Sequence, residues 1–399
     1  MAGCTVVHVI TRFIRGGADE NTLITCNRQA RAGLDVVLVV GREHHPDMVA
    51  KLDPAVRLEV VSSLVREVNP WHDGVALATL VALLRRLRPD VLHTHESKAG
   101  ILGRFAAAIV RAPLVVHTVH ILPFVNVSPA KAKVFLALER LAARVTDQFI
   151  DVSEGMRDVC IAHGLGTAET HVVAPSGMNV ARFRNATAPD RAGLFGVDPS
   201  WLTTPAGPAV VALVAGALEP RKRVTELVEE LGRRGMPPDL RLVVVGDGPE
   251  RPAVEKRVAA GGLADKVLLL GHRGDLERLI AAADLCVHAA SNEGLPRVVL
   301  QYVMGGRPVV VPALAGIERV VEDGRTGDVV GLDGVGPVVD AMLALAADPD
   351  RRARYAAGAR AMDMSAWDAD HMMRLIGEAY ARAAASRGLP APIASALAR

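Results

Sequence analysis

Apolar residues run almost without interruption through seven short segments in the first half of the chain: CTVVHVI (4–10), DVVLVVG (35–41), VRLEVV (56–61), DVLHTH (90–95), LVVHTVH (114–120), DQFIDVS (147–153) and HVVAP (171–175). Between several of them apolar positions recur every three or four residues, as in VALATLVALLRRLR (75–88) and KAKVFLALERLAARV (131–145). Continuous Val/Leu runs predict strands buried on both faces, and the helical period predicts amphipathic helices covering them. A polar, Pro-containing stretch from 185 to 208 interrupts the pattern, which then resumes in AVVALVAG (209–216), LRLVVVGDG (240–248), KVLLLGHR (266–273), DLCVHAAS (284–291), RPVVVPA (307–313) and GDVVG (327–331). This alternation predicts an α/β protein of two doubly wound parallel sheets, two Rossmann-like halves facing an interdomain cleft. The expected division is residues 1–187 and 188–366, then a final helix in WDADHMMRLIGEAYARAAA (367–385) and a tail over 386–399.

Composition narrows the function classes. Of 399 residues half are hydrophobic and 23% charged, which excludes wholesale disorder. A formal net charge of +2 argues against a dedicated nucleic-acid binder, which needs a concentrated basic surface. The first half holds a small excess of basic residues, expected as a solvated face. Cys4, Cys26, Cys160 and Cys286 have no metal-ligand spacing and sit in apolar contexts, so reduced, buried thiols of a cytoplasmic protein are expected. The stretch MAGCTVVHVITRF starts a strand without a basic leader, and no apolar run reaches the ~18 residues that cross a bilayer.

In open α/β sheets ligands gather beyond the C-terminal ends of the strands. After the first strand, Arg15-Gly16-Gly17 is either a phosphate-cradling turn or a plain strand–helix turn. After the fourth, HTHESKAG places His93, His95, Glu96 and Lys98 at a sheet edge; a metal site is conceivable, but the two histidines need not converge, and a solvated loop is favoured. Lys98 at a helix start runs against the dipole and hints at an anionic neighbour. His117 and His120 close the fifth strand, where a histidine can donate a hydrogen bond to a sugar or phosphate or serve structurally. In ALEPRKR, Arg221, Lys222 and Arg223 offer three cations after a strand, a cost that a diphosphate would offset. Gly246 in GDGPER is a second glycine turn, and Arg273 in LGHRGDL ends a strand in a polar loop. In SNEGLPRVVLQYVMGGRPVVV, Pro296 fits a first helical turn, the amides of Gly294, Leu295 and the residues beyond Pro296 form an anion site, Glu293 accepts from sugar hydroxyls or simply favours the dipole, and Gln301 lies two turns along the helix.

These segments together, SNEGLPRVVLQYVMGGRPVVV with HTHESKAGILGR, HTVH, ALEPRKR, VVGDGPER and PALAGIERVVEDGRTG in this order, resemble the family-4 retaining glycosyltransferases of the GT-B fold (glycosyltransferase group 1) over residues 5–385. The resemblance implies that Glu293 binds the donor sugar's hydroxyls, Lys222 neutralises the donor diphosphate, His120 lies close to the transferred sugar, Gly16 and Gly17 form the loop near phosphates and acceptor, and Gln301 stands where a second glutamate usually holds the ribose. Ala217 and Gln301 depart from the family pattern; Arg221 or Arg223 could supply the charge missing at 217. The implied chemistry is metal-independent, retaining transfer from a nucleotide-diphosphate sugar, commonly a UDP-sugar, to a lipid-linked, polysaccharide or small-metabolite acceptor. No cofactor is implied, and nucleic acid is not an expected partner. A cytoplasmic location is implied, with contact at the inner face of the membrane left open, as are a nucleotide-sugar epimerase and a non-catalytic binding subunit. A nicotinamide oxidoreductase is least favoured, since no full G-x-G-x-x-G follows the first strand.

Overall fold

The structure, a computed structural model, describes residues 4–389 apart from 15, 126, 292, 294, 295 and 315. Gly294 and Leu295, both expected at a donor site, therefore lie outside the described residues.

The chain forms two compact units, Met1–Met178 with Ser365–Arg399, and Asn179–Met364. In the first, seven parallel strands, β1 (Thr5–Ile10), β2 (Asp35–Val40), β3 (Arg57–Val60), β4 (Val91–His95), β5 (Leu114–Val119), β6 (Gln148–Asp151) and β7 (His171–Val173), line up in the order β3-β2-β1-β4-β5-β6-β7. The Val-rich segments become strands for the reason the pattern suggested: side chains on both faces of β1, β2, β4 and β5 are buried under helices. The last helix, Ala369–Ser386, returns to this unit and packs on β6, β7 and the helix Gly17–Arg31.

The second unit begins with the polar stretch, which carries a small hairpin, β8 (Thr203–Thr204) and β9 (Gly207–Pro208). Its main sheet holds β10 (Val210–Ala215), β11 (Leu240–Val245), β12 (Val267–Gly271), β13 (Leu285–Val287), β14 (Val309–Pro312) and β15 (Gly327–Val330), in the order β12-β11-β10-β13-β14-β15. Both sheets thus reverse direction of strand addition once, between β1 and β4 and between β10 and β13. Loops leaving neighbouring strands in opposite directions open a crevice there, which is where such sheets bind ligands.

The helix Ser97–Val110, within a stretch KAGILGRFAAAIVR (98–111) that mixes apolar and basic residues, spends its apolar side on the sheet. It packs on β1, β4 and β5, with Ala99, Gly100, Ile101, Gly103, Ala106 and Ala107 buried. A Cβ on Gly100 would lie 2.6 Å from Cε1 of His117, so the close approach of helix to sheet needs glycine there. Arg104 of this helix is fully buried, its guanidinium 2.5 Å from Oε2 of Glu139 and bonded to the Gly100 carbonyl. Removing one partner strands the other charge in a dry interior. Arg104→Ala is expected to cost about 3–5 kcal/mol in urea unfolding, whereas pairing Arg104→Met with Glu139→Leu should recover most of that loss.

Candidate functional site

In the second unit, β10 and β13 deliver their loops side by side. The Ser291 amide donates to the Arg221 carbonyl at 2.9 Å, tying one loop to the other. That tie brings together charges far apart in sequence. Lys222, the last residue of a short helical turn Pro220–Lys222, places Nζ 2.5 Å from Oε1 of Glu293. Arg221 bonds the same oxygen and reaches Oε2 of Glu219 at 2.8 Å. On the other side, His288 at the end of β13 lies 3.0 Å from Oε2 of Glu293.

Burial by itself would raise the pKa of Glu293, but hydrogen bonds from His288 and Lys222, and the Lys222 charge, outweigh it and pull it down to about 2. Burial lowers the pKa of His288, and Lys222 and Arg221 push the same way against Glu293. The cluster is therefore an ionised carboxylate, a neutral imidazole donating to it through Nε2–H, and two cations, one of which, Arg221, is also paired with Glu219. His288 escaped the sequence reading, although a histidine closing the apolar run DLCVHAAS at a strand's C-terminal end was a usable signal.

The other expected donor-site residues of this unit do not all join the cluster. Arg223 adopts a left-handed conformation (φ 55°) ahead of the helix Val224–Arg234 and pairs with Glu226 at 3.4 Å. Arg273 forms a two-pronged pair with Asp275, at 2.8 and 2.7 Å, and bonds the Leu194 carbonyl. Gly246 has φ 134°, and a Cβ there would meet the Gly216 carbonyl oxygen at 1.9 Å; its amide donates to Gly271. Its place is to let the ends of β10, β11 and β12 close together. Pro296 is the residue capping the helix Arg297–Met304 rather than part of its first turn, and Gln301 is half-buried within that helix. Tyr302 beside it is fully buried and accepts from the Ala215 amide at 2.7 Å, pinning the helix to the end of β10.

In the first unit the reversal between β1 and β4 gathers histidines. Convergence of His93 and His95 was left open by the sequence; alternate residues of a strand face the same side, and their rings lie 4.2 Å apart, with His8 of β1 alongside. His95 also meets His120, Nδ1 to Nε2, at 3.2 Å. His117, by contrast, is buried against Thr94 on the other face. Lys98 finds its anion in Asp73, at 2.6 Å.

His8, His93 and His95 hold ligand atoms within 4.8 Å of one another, a spacing a metal could use. The donor set argues otherwise, because each ring nitrogen already has a partner: Gln29 and His95 for His8, Thr118 and Tyr380 for His93, His8 and His120 for His95. Burial first, then mutual repulsion, lowers the pKa of His93 and His95, and burial lowers that of His8 to about 4. A neutral hydrogen-bonded array fits these atoms better than a cation.

Gly16 caps the helix Gly17–Arg31 in an extended conformation, with Asp19 folded beneath it. Glu96, just past β4, has φ 60° and ψ −178°, a strained conformation for a residue with a side chain. Burial, then the neighbouring Asp19 charge, raises the Glu96 carboxyl to about 7 against opposition from Arg12; burial raises Asp19 to about 6. Both folded values exceed unfolded ones near 4, so the native state binds more protons between about pH 4 and 7, and stability falls as pH rises through that window. Glu96→Gln should flatten the decline in urea midpoint between pH 5 and pH 8.

With this geometry in place, known proteins sharpen it. The glycosyl transferase 4-like domain profile matches residues 16–176, and the glycosyl transferases group 1 profile matches residues 209–348. A D-inositol 3-phosphate glycosyltransferase of Salinispora tropica is 31% identical over 404 residues, covering 92% of this chain and 82% of the relative. The UDP-Gal:alpha-D-GlcNAc-diphosphoundecaprenol alpha-1,3-galactosyltransferase of Escherichia coli is 28% identical over 304 residues, covering 74% and 76%. The crystal structure of Anabaena HepE in complex with UDP superposes with a TM-score of 0.76 at 22% identity, over 94% of this chain and 98% of that one. One profile spans the second sheet and the other the first from β2 to β7, and a relative above 30% identity runs nearly the full length: the chain belongs to the group 1, family 4 glycosyltransferases and has the GT-B fold.

Proposed function

We propose that this glycosyltransferase moves a sugar from a UDP-sugar to an acceptor hydroxyl with retention of configuration and without a metal. The observation that carries the proposal is the cluster of Arg221, Lys222, His288 and Glu293 at the reversal between β10 and β13. A diphosphate would take Lys222 and Arg221 as counter-charges, and Glu293, ionised and steadied by His288, would accept from the sugar's hydroxyls. Gln301 serves the ribose with an amide in place of a carboxylate, while Gly16, Gly17 and His120 act on the acceptor and the transferred sugar. The C1–O bond to the diphosphate breaks as the acceptor oxygen bonds C1 from the same face. The acceptor's proton passes to the departing phosphate oxygen, giving UDP and an α-linked product from an α-linked donor.

A lipid-linked acceptor is the favoured class. The E. coli relative is named for one, and the segment around the helix Pro129–Ala143 exposes Ile121, Val125, Val127 and Val134 beside Lys131 and Lys133. Among the described residues no helix is long and apolar enough to cross a membrane, so contact would be peripheral. Incubation with UDP-glucose, UDP-galactose or UDP-N-acetylglucosamine and polyprenyl-diphosphate-linked acceptors, with and without EDTA, tests the reading. UDP release and an α-anomeric product undiminished by EDTA are expected; a β-anomeric product or loss of activity in EDTA would contradict it.

A further inference from the structure

Three helices of the first unit, Ser97–Val110, Pro129–Ala143 and Ala369–Ser386, finish close to the start of β5, and their last turns surround a cavity. This is the opposite end of the strands from the crevice where sheets of this kind bind their substrates. The cavity has a volume of about 460 Å³, the size that holds a small organic ligand. Ala112, Pro113, Val115 and Val145 give it an apolar lining, and the charged residues that line it are all arginines: Arg111, Arg144 and Arg387. Each of the three is the capping residue at the C-terminal end of its helix.

The three arginines are not equivalent. Arg387 places Nε 2.5 Å from Oδ1 of Asp147, and Oδ2 of Asp147 accepts from the Val115 amide at 2.7 Å. That carboxylate offsets one positive charge and has no oxygen left for a second. Among the described residues Arg111 and Arg144 have no ion pair and no side-chain hydrogen bond. A cation at a helix C-terminus answers the unsatisfied carbonyls of the last turn. Here backbone amides already take several of those carbonyls: Arg111 and Ala112 donate to Ala107, Val145 to Ala142 and Leu389 to Ala384. Two guanidinium groups thus bring uncompensated positive charge to a cavity whose other lining is apolar. Ile109, three residues before Ala112, and Leu141, three before Arg144, are each 51% exposed and extend that apolar character outward along the last turns of their helices.

We propose that this cavity binds an alkyl phosphate monoester, with the phosphate between Arg111 and Arg144 and the alkyl chain along the apolar lining toward Ile109 and Leu141. Two planar guanidinium forks suit a phosphate, which offers oxygens to both. A bare anion would leave the apolar lining unused, and a neutral amphiphile would leave both cations unpaired. The site is separate from the crevice that takes the nucleotide sugar, so it stands or falls independently of the proposed glycosyl transfer.

The test is calorimetric titration of dodecyl phosphate, kept below its micellar concentration, into the full-length protein at fixed ionic strength. One saturable site is expected. Arg111→Asn combined with Arg144→Gln should weaken binding about tenfold or more, since each charge-assisted contact carries roughly that factor. Asparagine tolerates the left-handed conformation of Arg111 (φ 56°), and both arginines are exposed. Ala108→Leu, at an exposed helical position that also lines the cavity, keeps both charges but fills the space, and should weaken binding as strongly. Inorganic phosphate and dodecyl maltoside, each carrying one half of the recognised group, should bind the wild type about tenfold or more weakly than dodecyl phosphate. Unchanged affinity in the double arginine variant or in Ala108→Leu overturns the proposal. Equal binding of dodecyl maltoside, or uptake of dodecyl phosphate without saturation, overturns it as well. Should a variant not fold, the comparison of the three probes on the wild type decides alone.

Discussion

Glu293→Gln is expected to lower kcat by roughly 10²-fold or more while leaving UDP affinity unchanged or tighter. Charge-assisted hydrogen bonds are worth ~1.5–3 kcal/mol each, so losing two of them on the sugar accounts for that fall. The binding effect has the opposite sign because of the cluster's electrostatics. Glu293 shares its oxygens with Lys222 and Arg221, and an amide of the same shape releases both cations to a diphosphate. It also removes a negative charge from the diphosphate's neighbourhood. Steady-state kinetics and UDP titration on the same preparation check both halves. A variant with full turnover, or one that loses UDP binding in proportion to its activity, contradicts the assignment of Glu293 to the sugar.

Lys222→Ala should fail differently. Its side chain is 13% exposed, and its ammonium is held by Glu293. Loss of a charge-assisted contact to the diphosphate should weaken UDP binding by about 10–100-fold, equivalent to ~1.4–2.7 kcal/mol. kcat should fall as well, because the same cation meets charge that grows on the leaving oxygen. Arg221→Ala should be milder, since that guanidinium is half exposed and already shared with Glu219. Salt dependence of UDP affinity, steeper in wild type than in Lys222→Ala, is an independent check.

Much of this fold was legible in the sequence because parallel strands buried on both faces read as apolar runs, and thirteen such runs became the thirteen strands of the two main sheets. The short hairpin β8–β9 has no such run and gave no signal. Glu293, Lys222 and Arg221 were readable because they follow strand ends, and the strand order then brings them together. Arg223 and Arg273 follow strand ends too, but each has a carboxylate two or three residues away, Glu226 and Asp275, that captures it. That local competition is visible in the sequence once spacing is weighed against the attraction of a distant site. The histidine chain was hidden for another reason. His8 and His95 lie on β1 and β4, His120 just past β5 and Gln29 on the helix Gly17–Arg31, and the pairing of β4 with both β1 and β5 aligns the histidines. Lys98 shows the same limit: its partner Asp73 lies on the preceding helix, 25 positions away.

The central claim is that the charged crevice of the second unit holds a nucleotide-diphosphate sugar. Calorimetric titration of UDP into the wild-type protein and into Lys222→Ala, at equal ionic strength with EDTA present, tests it most directly. Saturable one-to-one binding to the wild type, weakened at least tenfold in the variant, is predicted. Equal affinity of the two proteins, or no binding to the wild type, would contradict it.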